Sequence, residues 1–138
     1  MANVDELIRK LVSKGVDVVE LLLDALSAVD PQEGIRERIR LAEKYLEKAR
    51  QYINKGDAVQ ASERACKAAE KVVKALAEKF RTKEYERFLA EGRWYTYLLG
   101  MASKTLANRL GYWVVDGWNA AYDLHVWVFM RGSTRLSM

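Results

Sequence analysis

Helix-breaking residues are almost absent from this chain. One proline, Pro31, occurs in 138 residues, and the eight glycines stand singly. Because proline removes a backbone donor and clashes with the preceding turn, its scarcity leaves long stretches free to be helical. Half of the residues are hydrophobic and 30% are charged, which is typical of a folded domain. The sequence therefore predicts one all-α domain.

Polar caps mark where the helices of this domain begin. Asp30 is followed by Pro31 and, three positions after the aspartate, by Glu33, which is a strong signal for a helix start. Asp57 directly follows Gly56 and predicts a second start just after a helix end. The link between these two helices is so short that we expect an antiparallel hairpin.

The remaining segments complete an up-and-down bundle of about five helices. Asn3 opens the first helix, which Gly15 is expected to bend or to split in two. Three further stretches are expected to be helical, the first of them as a short helix or a loop: residues 82–91, 94–110 and about 112–130. We expect residues 1–130 to form a single helical-bundle domain and residues 131–138 to form a frayed tail.

The second helix of the predicted hairpin has a small apolar face and a charged outer face. The alanines expected to face the partner helix are Ala58, Ala61, Ala65, Ala68 and Ala69. Such small side chains let two helix axes approach closely. On the outside, Glu70 stands four residues before Lys74, and Glu63 four before Lys67, so we expect solvated pairs worth about 0.2–0.5 kcal/mol each. The lone Cys66 is expected to be a buried filler.

Composition argues against several classes of protein. The formal net charge of +4 favours a solvated surface over a functional basic patch. No apolar run reaches membrane-spanning length, and residues 1–6 carry acids where a signal peptide carries Lys or Arg, so we expect no membrane contact and a place in the cytoplasm. With one histidine and one cysteine, the chain is expected to bind no metal and no cofactor.

Nine of the fourteen aromatic residues lie between Trp94 and Phe129, and six of these nine belong to the last predicted helix. It is apolar on nearly every side, so either it threads the centre of the bundle or a second subunit covers its outer face. Surplus aromatic residues favour interfaces, and we therefore expect a homodimer. The candidate interface residues are Val114, Trp127 and Phe129. The candidate binding residues are Trp118, Tyr122, Asp123 and His125.

His125, the only histidine, has two interpretations. It shares a helix face with Trp118, which favours a core histidine that is hydrogen-bonded to a carbonyl or a tyrosine. The alternative is a general acid–base or RNA-contacting group, which needs a charged partner. The polar stripe of Asp116, Asn119 and Asp123 points about 100–200° away from His125 on the same helix. These side chains therefore cannot orient the imidazole within one subunit.

Several segments, taken in order, resemble one known family. They are residues 42–49 (AEKYLEKA), 55–63 (KGDAVQASE), 67–70 (KAAE), 74–78 (KALAE) and 118–129 (WNAAYDLHVWVF). Together they resemble the archaeal PaREP family of small helical proteins, over roughly residues 20–130. That family looks like a branch of the HEPN superfamily, whose helical bundles often dimerise. HEPN proteins include metal-independent ribonucleases, toxins and partners of nucleotidyltransferases.

The resemblance also implies where a ribonuclease site would lie. Active HEPN proteins use an arginine that is separated by four to six residues from a histidine, and His125 matches that histidine. The arginine would fall at Trp118, Asn119 or Ala120, and none of these is basic. Asn119 matches only the polar residue that often follows the arginine. Since removing a charge stabiliser of this kind costs on the order of 10²–10³ in rate, an active enzyme is not expected.

The sequence thus favours a non-catalytic HEPN-like binding protein that forms a homodimer. Three kinds of ligand are compatible with this prediction: a protein such as a nucleotidyltransferase, a nucleotide, and RNA. The alternative is a ribonuclease in which His125 and Asn119 are the candidate catalytic residues and an arginine is supplied in space. The candidates for that arginine are Arg38, Arg64 and Arg109. A tetratricopeptide-like scaffold is a lesser alternative, because only one helix pair resembles such a repeat.

Overall fold

The structure, a computed structural model, describes the backbone of residues 3–136 and the side chains of residues 3–124 and 126. Within this range the chain forms seven α-helices and no strand, which confirms the all-α prediction. They are α1 (Val4–Ser13), α2 (Val18–Val29), α3 (Pro31–Asn54), α4 (Ala58–Lys79), α5 (Lys83–Glu91), α6 (Thr96–Leu110) and α7 (Trp113–Leu136). The count exceeds the predicted five because Gly15, with φ of +83°, separates α1 from α2, and because α5 is a helix and not a loop.

The predicted caps are present at the helix starts. The Asp30 carboxylate accepts a hydrogen bond from the backbone N–H of Glu33 at 3.2 Å, and Asp57 accepts one from Gln60 at 3.0 Å. Asn3 accepts bonds from two backbone N–H groups of the first turn of α1. Each bond satisfies a donor that the helix itself leaves unpaired, so these three start predictions are confirmed.

Helices α3 and α4 form the predicted antiparallel hairpin. Gly56 ends the turn between α3 and α4 with φ of +76°, a left-handed conformation that glycine adopts without a steric penalty. The axes approach closely because small side chains face each other along the hairpin. The buried alanines are Ala42 and Ala49 on α3 and Ala61 and Ala68 on α4.

The hydrophobic core lies where α4, α6 and α7 meet. It is formed by Val73, Ala77, Leu99, Ala102, Leu106, Val114 and Trp118. Helix α4 is the central element, since it contacts α3, α5, α6 and α7. Helix α1 contacts only α2 and contains no buried residue, so the amino-terminal end adds little to this core.

The position at which α7 ends bears on the prediction of a domain followed by a tail. Helix α7 continues to Leu136, beyond the predicted start of the tail at residue 131. The division into a domain and a tail stays a prediction. None of the helices within residues 3–136 combines the length and apolar character needed to cross a bilayer.

Candidate functional site

Helix α7 carries the residues that the sequence analysis proposed for binding and for an interface. Trp118 is buried and stacks on Tyr122, with the ring centroids 6.1 Å apart. Asn119 and Asp123 are exposed, whereas Val114 is buried in the core of its own chain. Three of the proposed residues fall outside the described side chains: His125, Trp127 and Phe129. The roles proposed for all of these residues stay predictions.

The described part of α7 is buried on one side only. It packs against α4 and α6, while Tyr122, Leu124 and Val126 are 39%, 45% and 39% exposed. Of the two arrangements expected for an all-apolar helix, threading through the centre of the bundle is therefore wrong for these residues. Helix α7 lies at the surface of the bundle because α4 already occupies its centre.

An apolar groove of about 380 Å³ runs along the flank of α7 that carries Leu124. Helices α3, α4 and α7 all contribute to its walls, among them Leu46, Ala65, Val72, Trp113, Ala121 and Leu124. Small residues on α4 leave the space that larger side chains would fill. The groove is open at its rim, where Leu46, Trp113 and Leu124 are 48%, 59% and 45% exposed, and we call the groove with these side chains the apolar surface of α7. Tyr122 and Val126 lie about 160° away from Leu124 around the helix axis, on the other flank of α7.

The three arginines that might have assisted His125 are each engaged by other groups. Arg38 is buried and donates to two carboxylates, as described below. The guanidinium of Arg64 lies 5.7 Å from the centre of the Tyr52 ring, and that of Arg109 lies 4.8 Å from the centre of the Phe80 ring. The distance from these arginines to the imidazole would test the ribonuclease alternative, but the His125 side chain lies outside the described residues.

The most unusual feature of the structure is a buried group of charges between α2, α3 and α4. The Glu20 carboxylate accepts hydrogen bonds from Arg38 Nη1 at 2.6 Å and from Lys71 Nζ, and Lys74 Nζ lies 3.2 Å away. Arg38 also donates through Nη2 to Asp24 at 2.5 Å. We call Glu20, Asp24, Arg38, Lys71 and Lys74 the ion cluster. Its three cations are almost inaccessible, with Arg38 only 2% exposed.

The electrostatics of the ion cluster depend on Glu20. Burial alone would raise the pKa of this carboxyl, but the charges of Lys74 and Arg38 and the hydrogen bond from Lys71 outweigh it and lower the pKa to about 2. Lys74 responds in the opposite sense, since burial lowers its pKa more than Glu20 raises it. Glu20 is thus a carboxylate at any ordinary pH, and it holds the three cations together.

Glu78 lies beside the ion cluster but is not paired within it. The Ser27 hydroxyl donates to Glu78 Oε2 at a long 3.3 Å, and Oε1 has no hydrogen-bond partner among the described residues. The side chain is 7% exposed, and burial raises the pKa of this carboxyl. A buried polar group that lacks a partner is costly, so Glu78 needs an explanation beyond folding.

A reactive cysteine and a metal site are the two remaining kinds of site that the residue types suggest. Cys66 is buried, and burial together with the nearby Glu70 and Glu63 raises the pKa of its thiol to about 11, which agrees with the predicted filler role. Among the described residues, no three His, Cys, Asp or Glu side chains come together in a way that could hold a metal ion.

Comparison with known proteins adds one finding to this geometry. The profile of the archaeal PaREP1/PaREP8 family matches residues 37–138, which is about three quarters of the chain. The chain belongs to this family. No curated protein and no solved structure matches it.

The PaREP1/PaREP8 match begins inside α3 and includes every later helix. It therefore contains the α3–α4 hairpin, the core and the whole of α7. Of the ion cluster it contains Arg38, Lys71 and Lys74, while Glu20 and Asp24 lie on α2, before the matched segment. In this member of the family, α2 thus supplies both carboxylates that neutralise the cations of the hairpin.

Sequence reasoning missed the ion cluster because it treated the charges of α4 as a solvated face. Lys74 was expected to pair with Glu70 in water, but it is 9% exposed and pairs with Glu20. A signal was available: Lys71, Lys74 and Glu78 stand three, four and seven residues apart, which places them on one face of a helix. That face could be recognised as buried only with the knowledge that α2 packs against it.

Proposed function

We propose that this PaREP1/PaREP8 protein is a non-catalytic, HEPN-like binding protein that works as a homodimer, with the exposed side of α7 as the contact between copies. The observation that carries the proposal is the apolar surface of α7, an open groove with Leu46, Trp113 and Leu124 exposed at its rim. An exposed apolar area that is continuous with an open groove is typical of an interaction surface. A second copy would present the same surface, which suits a two-fold contact.

The HEPN-like part of the proposal rests on the resemblance and on the arrangement of helices. A long antiparallel hairpin, α3–α4, supports a late helix that carries the histidine, His125, which matches the HEPN motif. A partner protein such as a nucleotidyltransferase remains part of this proposal, as does a place in the cytoplasm.

The absence of catalysis is supported by the state of the arginines. No basic residue stands in register before His125, and the most buried alternative, Arg38, is held by two carboxylates. Moving the Arg38 guanidinium to an RNA phosphate would break its ion pairs with Glu20 and Asp24, and breaking an ion pair of a buried side chain is costly.

The dimer contact is tested by the variant Leu124→Glu in sedimentation velocity. A buried leucine contributes about 1.5–3 kcal/mol, and a two-fold contact contains it twice, so we expect the dimer dissociation constant to rise at least about 100-fold. The matched control is Val29→Glu, which places the same charge on an exposed valine at the end of α2. Equal dissociation constants for both variants and the unaltered protein would exclude α7 as the contact.

The ribonuclease alternative has its own test. Purified protein is incubated with labelled RNA in the presence of EDTA, alongside the variant His125→Ala. We expect no cleavage above background from either protein. Robust cleavage that EDTA does not inhibit and that disappears in His125→Ala would overturn the non-catalytic assignment and establish the enzyme.

A further inference from the structure

A second cavity lies on the opposite side of α4 from the apolar groove, in a gap between α2 and α5. No Cα atom of α2 is within 8 Å of a Cα atom of α5 in the described chain, so the two helices leave a space of about 140 Å³ between them. One wall is polar and contains Asp24, Arg38, Lys74 and Glu78. We call this space the α2–α5 cavity.

The opposite wall of the α2–α5 cavity is aromatic. It is formed by Tyr85 and Phe88 of α5 and by Trp94, which follows that helix. Phe88 and Trp94 are stacked, with the ring centroids 5.3 Å apart and the planes inclined by 14°. Leu89, at the edge of the cavity, is 52% exposed, so this edge faces solvent.

Two residues of the polar wall each carry a buried atom without a hydrogen-bond partner in the described chain: Arg38 Nε and Glu78 Oε1. The first is a donor and the second an acceptor. Both side chains are more than nine-tenths buried, and both belong to the wall of the cavity. A ligand that satisfies both atoms must offer one acceptor and one donor.

The charges of the wall exclude a strongly charged ligand. Arg38 and Lys74 would repel a cation, and Asp24 and Glu78 would repel an anion. The cavity is close in size to an apolar cavity of about 150 Å³ that accepts benzene, so a single six-membered ring fits it. The aromatic wall favours a flat ring that stacks on it.

We propose that the α2–α5 cavity is a binding site for a neutral, planar nitrogen heterocycle of single-ring size, with the donor–acceptor edge of a pyrimidine base. Its ring N–H or amino group donates to Glu78 Oε1, its carbonyl or ring nitrogen accepts from Arg38 Nε, and its face stacks on the aromatic wall. This site goes beyond the proposed function and lies apart from the α7 surface, so either proposal can fail alone.

A heterocycle of this kind could come from two sources: a free base or nucleoside, or a base in an RNA strand. A groove of about 450 Å³ shares Glu78 with the cavity and is otherwise lined by Arg36, Lys79 and Arg81 among its charged residues. This basic groove would attract the phosphate of a nucleotide or of a strand. The two sources are therefore distinguished by the effect of a phosphate on affinity.

The test is a calorimetric titration of the full-length protein with uracil, cytosine, uridine monophosphate and a short oligouridylate, with benzene as a ring that lacks the polar edge. We expect at least one of the heterocyclic probes to bind at least tenfold more tightly than benzene. Preference for the free bases assigns a small-molecule site, and preference for the phosphate-bearing probes assigns a nucleotide or an RNA strand. Binding of none of them, or of benzene equally well, would overturn the site.

Two variants separate the polar edge from general packing. Glu78→Gln keeps the size of the side chain and removes the charged acceptor, and we expect the affinity of the preferred probe to fall about 10- to 100-fold. Glu86→Gln makes the same change on the exposed side of α5 and is expected to leave the affinity unchanged. Thermal unfolding confirms that each variant is folded. Equal affinities for both folded variants would remove Glu78 from the site and overturn the proposal.

Discussion

At the scale of single residues, the ion cluster is where this chain departs most from an ordinary helical bundle. Glu20 contacts Arg38, Lys71 and Lys74, and within the described part of the chain its carboxylate is the only group that pairs with all three. Taking charges out of water is costly, and the cost is recovered only while each charge keeps its partner. Removal of the shared carboxylate should therefore be far more harmful than removal of an acid at the surface.

The variant Glu20→Gln tests this directly. It keeps the shape of the side chain but removes the carboxylate that pairs with all three buried cations, so we expect the free energy of unfolding to fall by about 3–5 kcal/mol. The measurement is urea denaturation followed by circular dichroism. Glu47→Gln, on the exposed face of α3, is the matched control and should change it by less than about 0.5 kcal/mol. Similar losses in both variants would show that the cluster is not critical.

The same carboxylate gives stability a defined pH dependence. The pKa of Glu20 is about 2 in the folded protein and has an ordinary value of 4.5 when the chain is unfolded. Its contribution, about 3 kcal/mol, is therefore fully present above pH 4.5 and is lost as the pH falls towards 2. Urea denaturation at a series of pH values should show this loss in the unaltered protein and a shallower loss in Glu20→Gln. If the free energy of unfolding changed with pH in the same way in both proteins, the lowered pKa of Glu20 would be contradicted.

The residue scale is also where sequence reasoning succeeded least. Caps such as Asp30 and Asp57 act on neighbouring backbone, so their role follows from the local sequence. The partner of Lys74 stands 54 positions earlier in the chain, at Glu20, and no local pattern connects the two. A charge that is paired across the fold has the same local sequence as a charge in water.

At the scale of helices, a close crossing of α2 and α3 positions the polar wall of the α2–α5 cavity. A Cβ atom added at Gly34 would lie 2.0 Å from Ser27 Oγ and 2.8 Å from Ser27 Cα. Because one of these atoms is backbone, a side-chain rotation cannot relieve the collision. Glycine at this position therefore sets the separation of the two helices, and with it the place of Ser27 beside Glu78.

The variant Gly34→Ala should therefore destabilise the fold although alanine is the better helix former. We expect a loss of about 1–3 kcal/mol from the forced separation of α2 and α3. Gly117→Ala is the matched control, since an added Cβ there meets nothing within 4 Å, and it should stabilise α7 by about 0.5–1 kcal/mol. Thermal unfolding of both variants provides the measurement. A stabilising Gly34→Ala would refute the close crossing.

Helix prediction was more successful than residue prediction, for a physical reason. The α3–α4 hairpin follows from periodic apolar positions and from a glycine and an aspartate at one short turn, all of which act locally. The surface position of α7 did not follow from its sequence. An apolar helix is expected to be buried, and whether its own chain or another one covers it depends on how much space the other helices leave.

At the scale of the whole molecule, the two proposed binding surfaces are separate from each other. Helix α4 separates them: the apolar surface of α7 lies on one side, and the ion cluster with the α2–α5 cavity lies on the other. The match to the PaREP1/PaREP8 family includes all of the first surface and only part of the second. We therefore expect the apolar surface to carry the proposed function and the cavity to add a ligand to it.

The central claim is that the apolar side of α7 is covered by a second copy of the chain. Multi-angle light scattering of the unaltered protein, measured from high to low micromolar concentration, tests it most directly. We expect a mass of twice 15.8 kDa at micromolar concentration, which decreases only on dilution. A constant mass of 15.8 kDa across the whole range would contradict it.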